Sequence, residues 1–228
     1  MAVDKDFLRR LSLFRDLTDD DLSALSQRLA ERRFRRGQVV FAEDETGQAM
    51  YVVRDGLVKA SRWLPSGREV ILALHPAGDY FGEMGLIDGR TEPATITAVD
   101  ASVVLTLDRP GFLDLLRRHS FALALLRELC TRCRASWKQV EALTYHTADA
   151  RVRVALRQLC DREGTRTPDG TRIEFALTHR DLASIAGVSR ETVTRVLGQL
   201  VQADLVKTVD RRLVVRDPEA LTEDEGLE

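Results

Sequence analysis

The chain has 228 residues, of which 44% are hydrophobic and 31% charged, so it can bury one large core or two smaller ones. Its 34 basic and 36 acidic side chains give a formal net charge of −2, which excludes a uniformly basic, histone-like nucleic-acid binder. The apolar runs are too short for a membrane span, no signal peptide is recognisable, and three cysteines are too few for a disulfide framework. Together these features predict a soluble cytoplasmic protein without a membrane partner.

The first half of the chain predicts a short helix followed by an antiparallel β-roll. Leu22, Leu25 and Leu29 have helical spacing, which predicts a helix from Asp20 to Arg32. β-Rich runs then recur at roughly ten-residue intervals with glycine-containing turns between them, a pattern typical of antiparallel rolls and barrels. The predicted strands cover residues 39–41, 50–53, 57–60, 70–74, 94–97 and 103–107.

A long helical segment follows, from Pro110 to about Thr147, with no glycine or proline after Gly111. Small and apolar side chains recur along it with the spacing of a heptad repeat. This seam contains Ala122, Leu126, Leu129, Cys133, Ser136, Val140 and Leu143. Because the seam is narrow and flanked by charged residues, it favours a helix that pairs with a second copy of itself; packing on its own domain is the alternative. Cys133 is predicted as small buried filler, with a redox link across the dimer as the alternative.

The last third of the chain predicts helices and a terminal hairpin. The predicted elements are a helix over 151–159, a loop over 161–172, two helical stretches around Gly187, and a hairpin formed by 205–208 and 213–215. Residues 149–216 carry 13 basic and 9 acidic side chains, whereas the last twelve residues carry six acids and no base. The near-neutral total therefore conceals a basic domain followed by an acidic tail, which we expect to be solvated.

Residues 179–196 read HRDLASIAGVSRETVTRV and carry the pattern of a helix-turn-helix. The small contact residue, the turn residue and the core apolar residue of this motif stand at Ala183, Gly187 and Val193. Thr178 and Asp181 form a capping box for the first helix, and Ser189 can cap the second. With the hairpin that follows, these residues predict a winged helix-turn-helix.

The exposed face of the second helix carries side chains that can read base edges. An arginine can donate two hydrogen bonds to O6 and N7 of guanine, and a glutamate can accept one from N4 of cytosine. We therefore assign base reading to Arg190, Glu191 and Arg195. Supporting or phosphate contacts are assigned to Thr178, His179, Ser189, Thr192 and Thr194. The alternative is a solvated helix face on which Glu191 and Arg195 pair with each other.

The run Ser189-Arg190-Glu191-Thr192-Val193, with Arg195, is similar to the recognition helix of the CRP/FNR family of bacterial transcription regulators. The resemblance covers about residues 10–216 and implies an α+β fold. Its parts would be a jelly-roll-like antiparallel β-roll effector domain over 1–118, a dimerisation helix over 119–147, a winged helix-turn-helix domain over 148–216 and an acidic tail over 217–228.

The resemblance also implies how such a protein works. It would bind double-stranded DNA as a homodimer at a palindromic GTGA-like site and move at a hinge near residues 147–149. It would contact RNA polymerase, for which the predicted loop 162–170 and the turn 65–68 are exposed candidates.

The family's phosphate-binding cassette resembles residues 78–86 followed by 92–98. By this resemblance the effector pocket contains Gly82, Glu83, Arg90, Glu92, Pro93, Ser136 and Trp137. In cyclic-nucleotide binders a glutamate in the position of Glu83 holds the ribose hydroxyl, and an arginine neutralises the cyclic phosphate. Here Glu92 stands in the place of that arginine, followed by Pro93, which lacks a backbone donor. Arg90 is the alternative cation if the gap is aligned one residue differently.

Two departures from the family pattern bear on the effector. Ser136 and Trp137 match the positions that contact adenine, and we expect Trp137 to pack against the β-roll instead. A carboxylate opposite a phosphate reverses the sign of a charge-assisted contact, so Glu92 disfavours cAMP. Three alternatives stay open: a dimer that is active without an effector, a different ligand, or cAMP held by an altered contact.

Other classes of function have less support in the sequence. Three thiolates are too few for an iron–sulfur cluster, no histidine is placed as a haem ligand, and no catalytic motif is present. We therefore expect no enzyme activity, no required cofactor and no metal. The competing class is a ligand-sensing regulatory module without DNA binding.

Overall fold

The computed structural model describes residues 3–145 and 147–221, without the side chains of residues 138 and 142–145. Its chain divides into two compact units, one within Met1–Arg62 and Leu72–Trp137, the other within Trp63–Ile71 and Lys138–Glu228. None of the helices in these described ranges is both long and apolar enough to cross a membrane.

The N-terminal unit is built around two antiparallel sheets. Its strands are β1 Ala30–Phe34, β2 Val39–Phe41, β3 Ala49–Asp55, β4 Leu57–Trp63, β5 Glu69–Pro76, β6 Tyr80–Phe81, β7 Thr95–Ala98 and β8 Ser102–Asp108. Its helices are α1 Lys5–Arg10, α2 Asp19–Arg28, α3 Met84–Asp88, α4 Arg109–Leu116 and α5 His119–Tyr145. The sheets have the strand orders β1-β8-β3-β6 and β2-β7-β4-β5, so the predicted β-roll and all six predicted strands are confirmed.

The predicted helix from Asp20 to Arg32 is wrong in its last turn. Helix α2 ends at Arg28, and Leu29 is already extended. Residues 30–34 instead form strand β1, which pairs with β8 from Ala30 opposite Thr106 to Phe34 opposite Ser102. Four of the five β1 residues are exposed, so the strand lacks an apolar pattern. Its conformation depends on backbone pairing with residues about 70 positions later, which local spacing does not reveal.

The segment after β8 contains two helices rather than one. Pro110 lies in the first turn of α4, as predicted, behind the N-cap Asp108. The break before α5 lets Phe112 and Phe121 both enter the helical core, where their rings meet edge to face at 6.0 Å. Phe14 stacks on Phe121 at the same centroid distance, so α5 is anchored at its N-terminal end.

Further along α5, the predicted seam is uncovered in the single chain. Leu126 is 58% exposed and Val140 is 62% exposed, whereas Leu129 packs against the helical core. Cys133 and Ser136 are exposed as well, and the side chain of Leu143 lies outside the described residues. Trp137 is 66% exposed, so the expectation that it packs against the β-roll is wrong.

The C-terminal unit joins three helices to one antiparallel sheet. Its elements are α6 Ala148–Glu163, β9 Gly164–Thr167, β10 Gly170–Ile173, α7 His179–Ala186, α8 Arg190–Gln202, β11 Val206–Val209, β12 Arg212–Val215 and a short 3-10 helix, Glu219–Leu221. The sheet has the strand order β11-β12-β10-β9, which confirms the predicted terminal hairpin.

The predicted loop over residues 161–172 is wrong. Helix α6 continues to Glu163, and β9 and β10 then form a second hairpin that joins the sheet through β12. Gly170 has a φ of +125°, and a Cβ there would lie 2.3 Å from the carbonyl oxygen of Val215. Glycine and proline in this segment therefore mark a tight hairpin rather than an irregular loop.

The predicted solvated tail is wrong at its beginning. Leu221 is buried, and Glu219 accepts hydrogen bonds at 2.6 and 2.7 Å from the guanidinium of Arg157 on α6. Residues 222–228 lie outside the described residues. The acidic segment therefore begins by docking on its own unit.

The left-handed conformation of the turn between α7 and α8 can be tested by measuring the stability of glycine variants. Gly187 ends α7 with a φ of +65°, whereas Gly198 lies inside α8 with open space where a Cβ would stand. Gly187→Ala should lower the free energy of unfolding by about 1–2 kcal/mol because the left-handed conformation disfavours a side chain. Gly198→Ala should raise it by about 1 kcal/mol because alanine is the better helix former. Urea unfolding followed by circular dichroism measures both, and a loss of equal size in the two variants would contradict the assigned turn.

Candidate nucleic-acid interface and effector pocket

The start of each motif helix is held by the predicted caps. The backbone N–H of Asp181 donates to Thr178 Oγ1 at 3.1 Å, and that of Thr178 donates to Asp181 Oδ2 at 3.2 Å. Ser189 Oγ accepts from the backbone N–H of Thr192 at 3.1 Å and so caps α8. The capping box and the second cap are therefore confirmed, and they satisfy backbone N–H groups at the start of each helix.

A second set of contacts ties the two helices together at their solvent side. Thr194 Oγ1 donates to the carbonyl oxygen of Arg190 at 3.0 Å and lies 2.9 Å from Nδ1 of His179. Helix α7 therefore supports the first turns of α8 through this imidazole. Beneath them, Val193 and Val196 are buried in the core of the unit. These contacts hold α8 in place within the protein, and the DNA contacts assigned to these residues stay a prediction.

The predicted base-reading side chains lie exposed on the first turns of α8. Arg190 makes no ion pair with any residue that the structure describes. The Glu191 backbone N–H and the Ser189 hydroxyl hold the pKa of the Glu191 carboxyl below its usual range, so it is an ionised acceptor. The alternative pair between Glu191 and Arg195 is not formed, because Arg195 has another partner.

That partner is Asp149, which sequence reasoning missed. Arg195 Nη1 donates to Asp149 Oδ2 at 2.7 Å and Nη2 donates to Oδ1 at 2.5 Å. This contact lowers the pKa of Asp149 and raises that of Arg195, so both stay charged. Asp149 lies in the first turn of α6, where an acid is ordinary, and nothing in the linear sequence singles it out.

The effector cassette is occupied by a second arginine that sequence reasoning missed. Arg132 on α5 donates to Glu83 Oε1 at 3.0 Å, to Asp79 Oδ1 at 2.8 Å and to the Tyr80 carbonyl oxygen at 2.6 Å. Its guanidinium also lies 4.1 Å from the centroid of the Tyr80 ring. In the sequence, Arg132 is recognisable only as one of the charged residues that flank the predicted seam. That position indicates exposure to solvent rather than a buried ion pair.

This network satisfies the charges of the cassette from within the chain. Asp79 Oδ2 lies 2.8 Å from Nδ1 of His75. Burial opposes ionisation of Asp79, but His75 and Arg132 outweigh it and hold the pKa of Asp79 below its usual range. Burial likewise opposes the charge on Arg132, yet Glu83 and Asp79 raise its pKa. Glu83, the position that matches the ribose contact, already has Arg132 as its partner, although burial outweighs this cation and raises the pKa of Glu83.

Glu92 is buried without such a partner. Its side chain is 4% exposed, and no described residue forms a hydrogen bond or ion pair with its carboxylate. Oε1 fills the space beside Gly47 and Gly85, since Cβ atoms there would lie 2.7 and 3.1 Å from it. Burial, and then the charges of Glu83 and Asp88, raise the pKa of Glu92 to about 7.

The other predicted pocket residues lie outside this buried cluster. The Arg90 side chain is 86% exposed and lies 3.9 Å from Asp88, so it does not neutralise Glu92. Pro93 is exposed. Ser136 donates to the carbonyl oxygen of Arg132 at 3.0 Å, and Trp137 faces solvent. In the single chain the structure therefore brings together Gly82, Glu83 and Glu92 but not Arg90, Pro93, Ser136 or Trp137.

The pH dependence of stability tests the buried state of Glu92. Its pKa is about 7 in the folded chain against an ordinary value of 4.5, so the unfolded chain releases this proton first as the pH rises. The wild type should therefore lose stability between about pH 4.5 and 7 relative to Glu92→Gln, by about 1–3 kcal/mol. Urea unfolding of both proteins across this range measures the difference. A difference that does not change with pH would show that Glu92 ionises normally.

Two family models match the chain. One, described as a cyclic nucleotide-binding domain, matches residues 31–119, which include the cassette with Glu83 and Glu92. The other, described as a Crp-like helix-turn-helix domain, matches residues 150–223, which include α7, α8 and the terminal hairpin. Together they cover most of the chain in the order that the sequence predicts.

Relatives match over nearly their whole length. The chain is 32% identical over 216 residues to the cyclic AMP receptor protein of Thermus thermophilus, which covers 92% of this chain and 95% of that protein. It is 29% identical over 217 residues to the CRP-like cAMP-activated global transcriptional regulator of Mycobacterium tuberculosis, with coverage of 95% and 97%. The structure of FixK2 from Bradyrhizobium japonicum has the same fold, with a TM-score of 0.77 at 23% identity over 88% of this chain and 98% of that one. The chain therefore belongs to the CRP/FNR family of transcription regulators, with a cyclic-nucleotide-binding-type β-roll and a DNA-binding helix-turn-helix.

Proposed function

We propose that this regulator binds a palindromic GTGA-like DNA site as a homodimer and does so without cAMP. The observation that carries the DNA part is the exposed first turns of α8, where Arg190 and the ionised Glu191 face solvent. A recognition helix enters the major groove with its N-terminal residues against base edges. An arginine fork suits guanine and a carboxylate suits the amino group of cytosine, which supports a half-site rich in those bases.

The dimer is supported by the uncovered face of α5. Leu126, Trp137 and Val140 are exposed apolar side chains on one helix, and contiguous exposed apolar surface marks an interaction site. The heptad spacing of Leu126, Leu129, Cys133, Ser136 and Val140 suits pairing with an identical helix. Two copies paired in this way would present two recognition helices to successive major grooves, roughly 34 Å apart.

Independence from cAMP is supported by the effector cassette. Arg132 already satisfies Glu83, and the buried Glu92 stands where a cyclic phosphate would need a cation. A phosphate placed there would find no cation, because Glu92, whose pKa is raised to about 7 by burial, is an anion when ionised and neutral when protonated. Two alternatives are kept. Conventional cAMP dependence is favoured by the names of the relatives from Thermus thermophilus and Mycobacterium tuberculosis, and a different ligand is favoured by the altered pocket.

The remaining assignments rest on the family. We retain the division into an effector domain over 1–118, a dimerisation helix over 119–147 and a winged domain over 148–216. RNA polymerase would bind either residues 162–170, most of which lie in the β9–β10 hairpin, or the turn 65–68. Such a regulator would act in the cytoplasm, where it meets chromosomal DNA.

Substitution of Arg190 tests direct base reading. Arg190→Ala should lose about 1–3 kcal/mol of discrimination at one base pair of each half-site, because one bidentate contact disappears. Gel shifts on a palindrome GTGA-N6-TCAC and on single-base variants of it measure this loss. Arg211→Ala, at the exposed turn between β11 and β12, is the control and should affect all sequences alike. An equal loss on every sequence for Arg190→Ala would rule out base reading by this residue.

Addition of cAMP tests the effector assignment. The affinity of the wild-type chain for the palindrome should be the same with and without cAMP. Calorimetric titration of cAMP should give no binding heat, because Glu92 supplies no positive charge to the phosphate in either protonation state. Binding that strictly requires cAMP would overturn this assignment and restore conventional dependence. A chain that binds a nucleotide but no DNA duplex would instead support the competing ligand-sensing module.

A further inference from the structure

The Asp149–Arg195 pair joins two helices on the surface that carries the proposed base readers. Thr147 caps α6 by accepting from the backbone N–H of Ala150 at 3.2 Å, which holds the turn that contains Asp149. Arg195 reaches this turn from α8, across 46 positions of sequence. The side chains are 41% and 52% exposed, so DNA docked on α8 would have access to both.

Asp149 binds the edge of the Arg195 guanidinium that would otherwise be available to DNA. Nη1 and Nη2 each donate to a different oxygen of Asp149, so one edge of the guanidinium is occupied by a carboxylate. The same two-donor edge is suited to O6 and N7 of guanine and also to two oxygens of a phosphate. DNA therefore has to compete with Asp149 for this edge.

We propose that Asp149 is a specificity-determining residue that competes with phosphates for Arg195 and yields it to a guanine edge in the correctly seated major groove. This inference rests on the proposed DNA-binding function. In a nonspecific complex, exchanging the carboxylate for a phosphate replaces one anion by another, so Arg195 gains little from the exchange. In the specific complex, guanine supplies two acceptors in a groove from which water is displaced, and this contact compensates for the broken pair.

A second cation lowers the cost of release. Arg153, one turn further along α6, lies close enough to Asp149 to help lower the pKa of its carboxyl. When Arg195 turns toward a base, Asp149 therefore keeps a positive neighbour. Because an exposed ion pair is weak, a correct base can displace it.

The test compares two neutralised acids on nonspecific and specific duplexes. Asp149→Asn should tighten binding to a nonspecific duplex roughly three- to tenfold, because Arg195 becomes available to phosphates. Its salt dependence should steepen by about one phosphate contact per subunit. Affinity for the palindrome should rise less, so the specificity ratio should fall.

Asp204→Asn is the matched control. It removes the same charge from the same unit and breaks a similar two-contact pair, with Arg216 at 2.8 and 3.0 Å, but lies beyond the C-terminal end of α8. This variant should leave the specificity ratio and the salt dependence unchanged. In an Arg195→Ala background, Asp149→Asn should also have no effect beyond that of the control.

Several outcomes would overturn the inference. A gain that persists in the Arg195→Ala background would mean that Asp149 acts only by general repulsion of DNA. An unchanged nonspecific affinity combined with lost discrimination at one base pair would mean that Asp149 orients Arg195 for reading instead. A wild-type chain that binds no duplex would overturn the proposed function itself, whereas a wild type that binds and an Asp149→Asn variant that matches it would overturn this inference alone.

Discussion

The charges of the effector cassette in the N-terminal unit are compensated by one guanidinium group, that of Arg132. This group extends from the long helix α5 and donates hydrogen bonds to Glu83, Asp79 and the carbonyl oxygen of Tyr80 in the effector cassette. A buried carboxylate that loses its cation is strongly destabilising, so the cassette and this part of α5 constrain each other. Any ligand that enters the cassette has to replace contacts that the protein already makes. Binding of an effector in the cassette would therefore be coupled to the position of helix α5.

The C-terminal unit uses an arginine under different physical conditions. Arg195 pairs with Asp149 at a surface where water and salt screen the charges, so the pair is weak enough for DNA to exchange. Arg132 pairs among largely buried groups, where exchange is costly. The two arginines therefore have different roles because they differ in burial. The largely buried Arg132 stabilises one conformation, whereas the exposed Arg195 is suited to adjust the selectivity of a binding surface.

Local signals in the sequence were reliable where the structure depends on neighbouring residues. The capping box of Thr178 and Asp181, the left-handed turn at Gly187 and the short strands between turns were all predictable, because each depends on contacts within a few positions. Strand β1 and the β9–β10 hairpin were missed, because their conformation depends on pairing with β8 and β12. Trp137 was wrongly expected to pack against the β-roll, because the local sequence does not show which face of α5 the β-roll covers.

By itself, the sequence determined the family, the order of β-roll, long helix and winged domain, and the residues that face solvent on the recognition helix. Helical periodicity, caps and turn glycines suffice for these features because they are encoded locally. Only the tertiary structure decided which charges meet. Arg132 and Glu83 are 49 positions apart, and Arg195 and Asp149 are 46 apart. With 34 basic and 36 acidic side chains in the chain, many pairings are chemically equivalent, and packing of the elements selects among them.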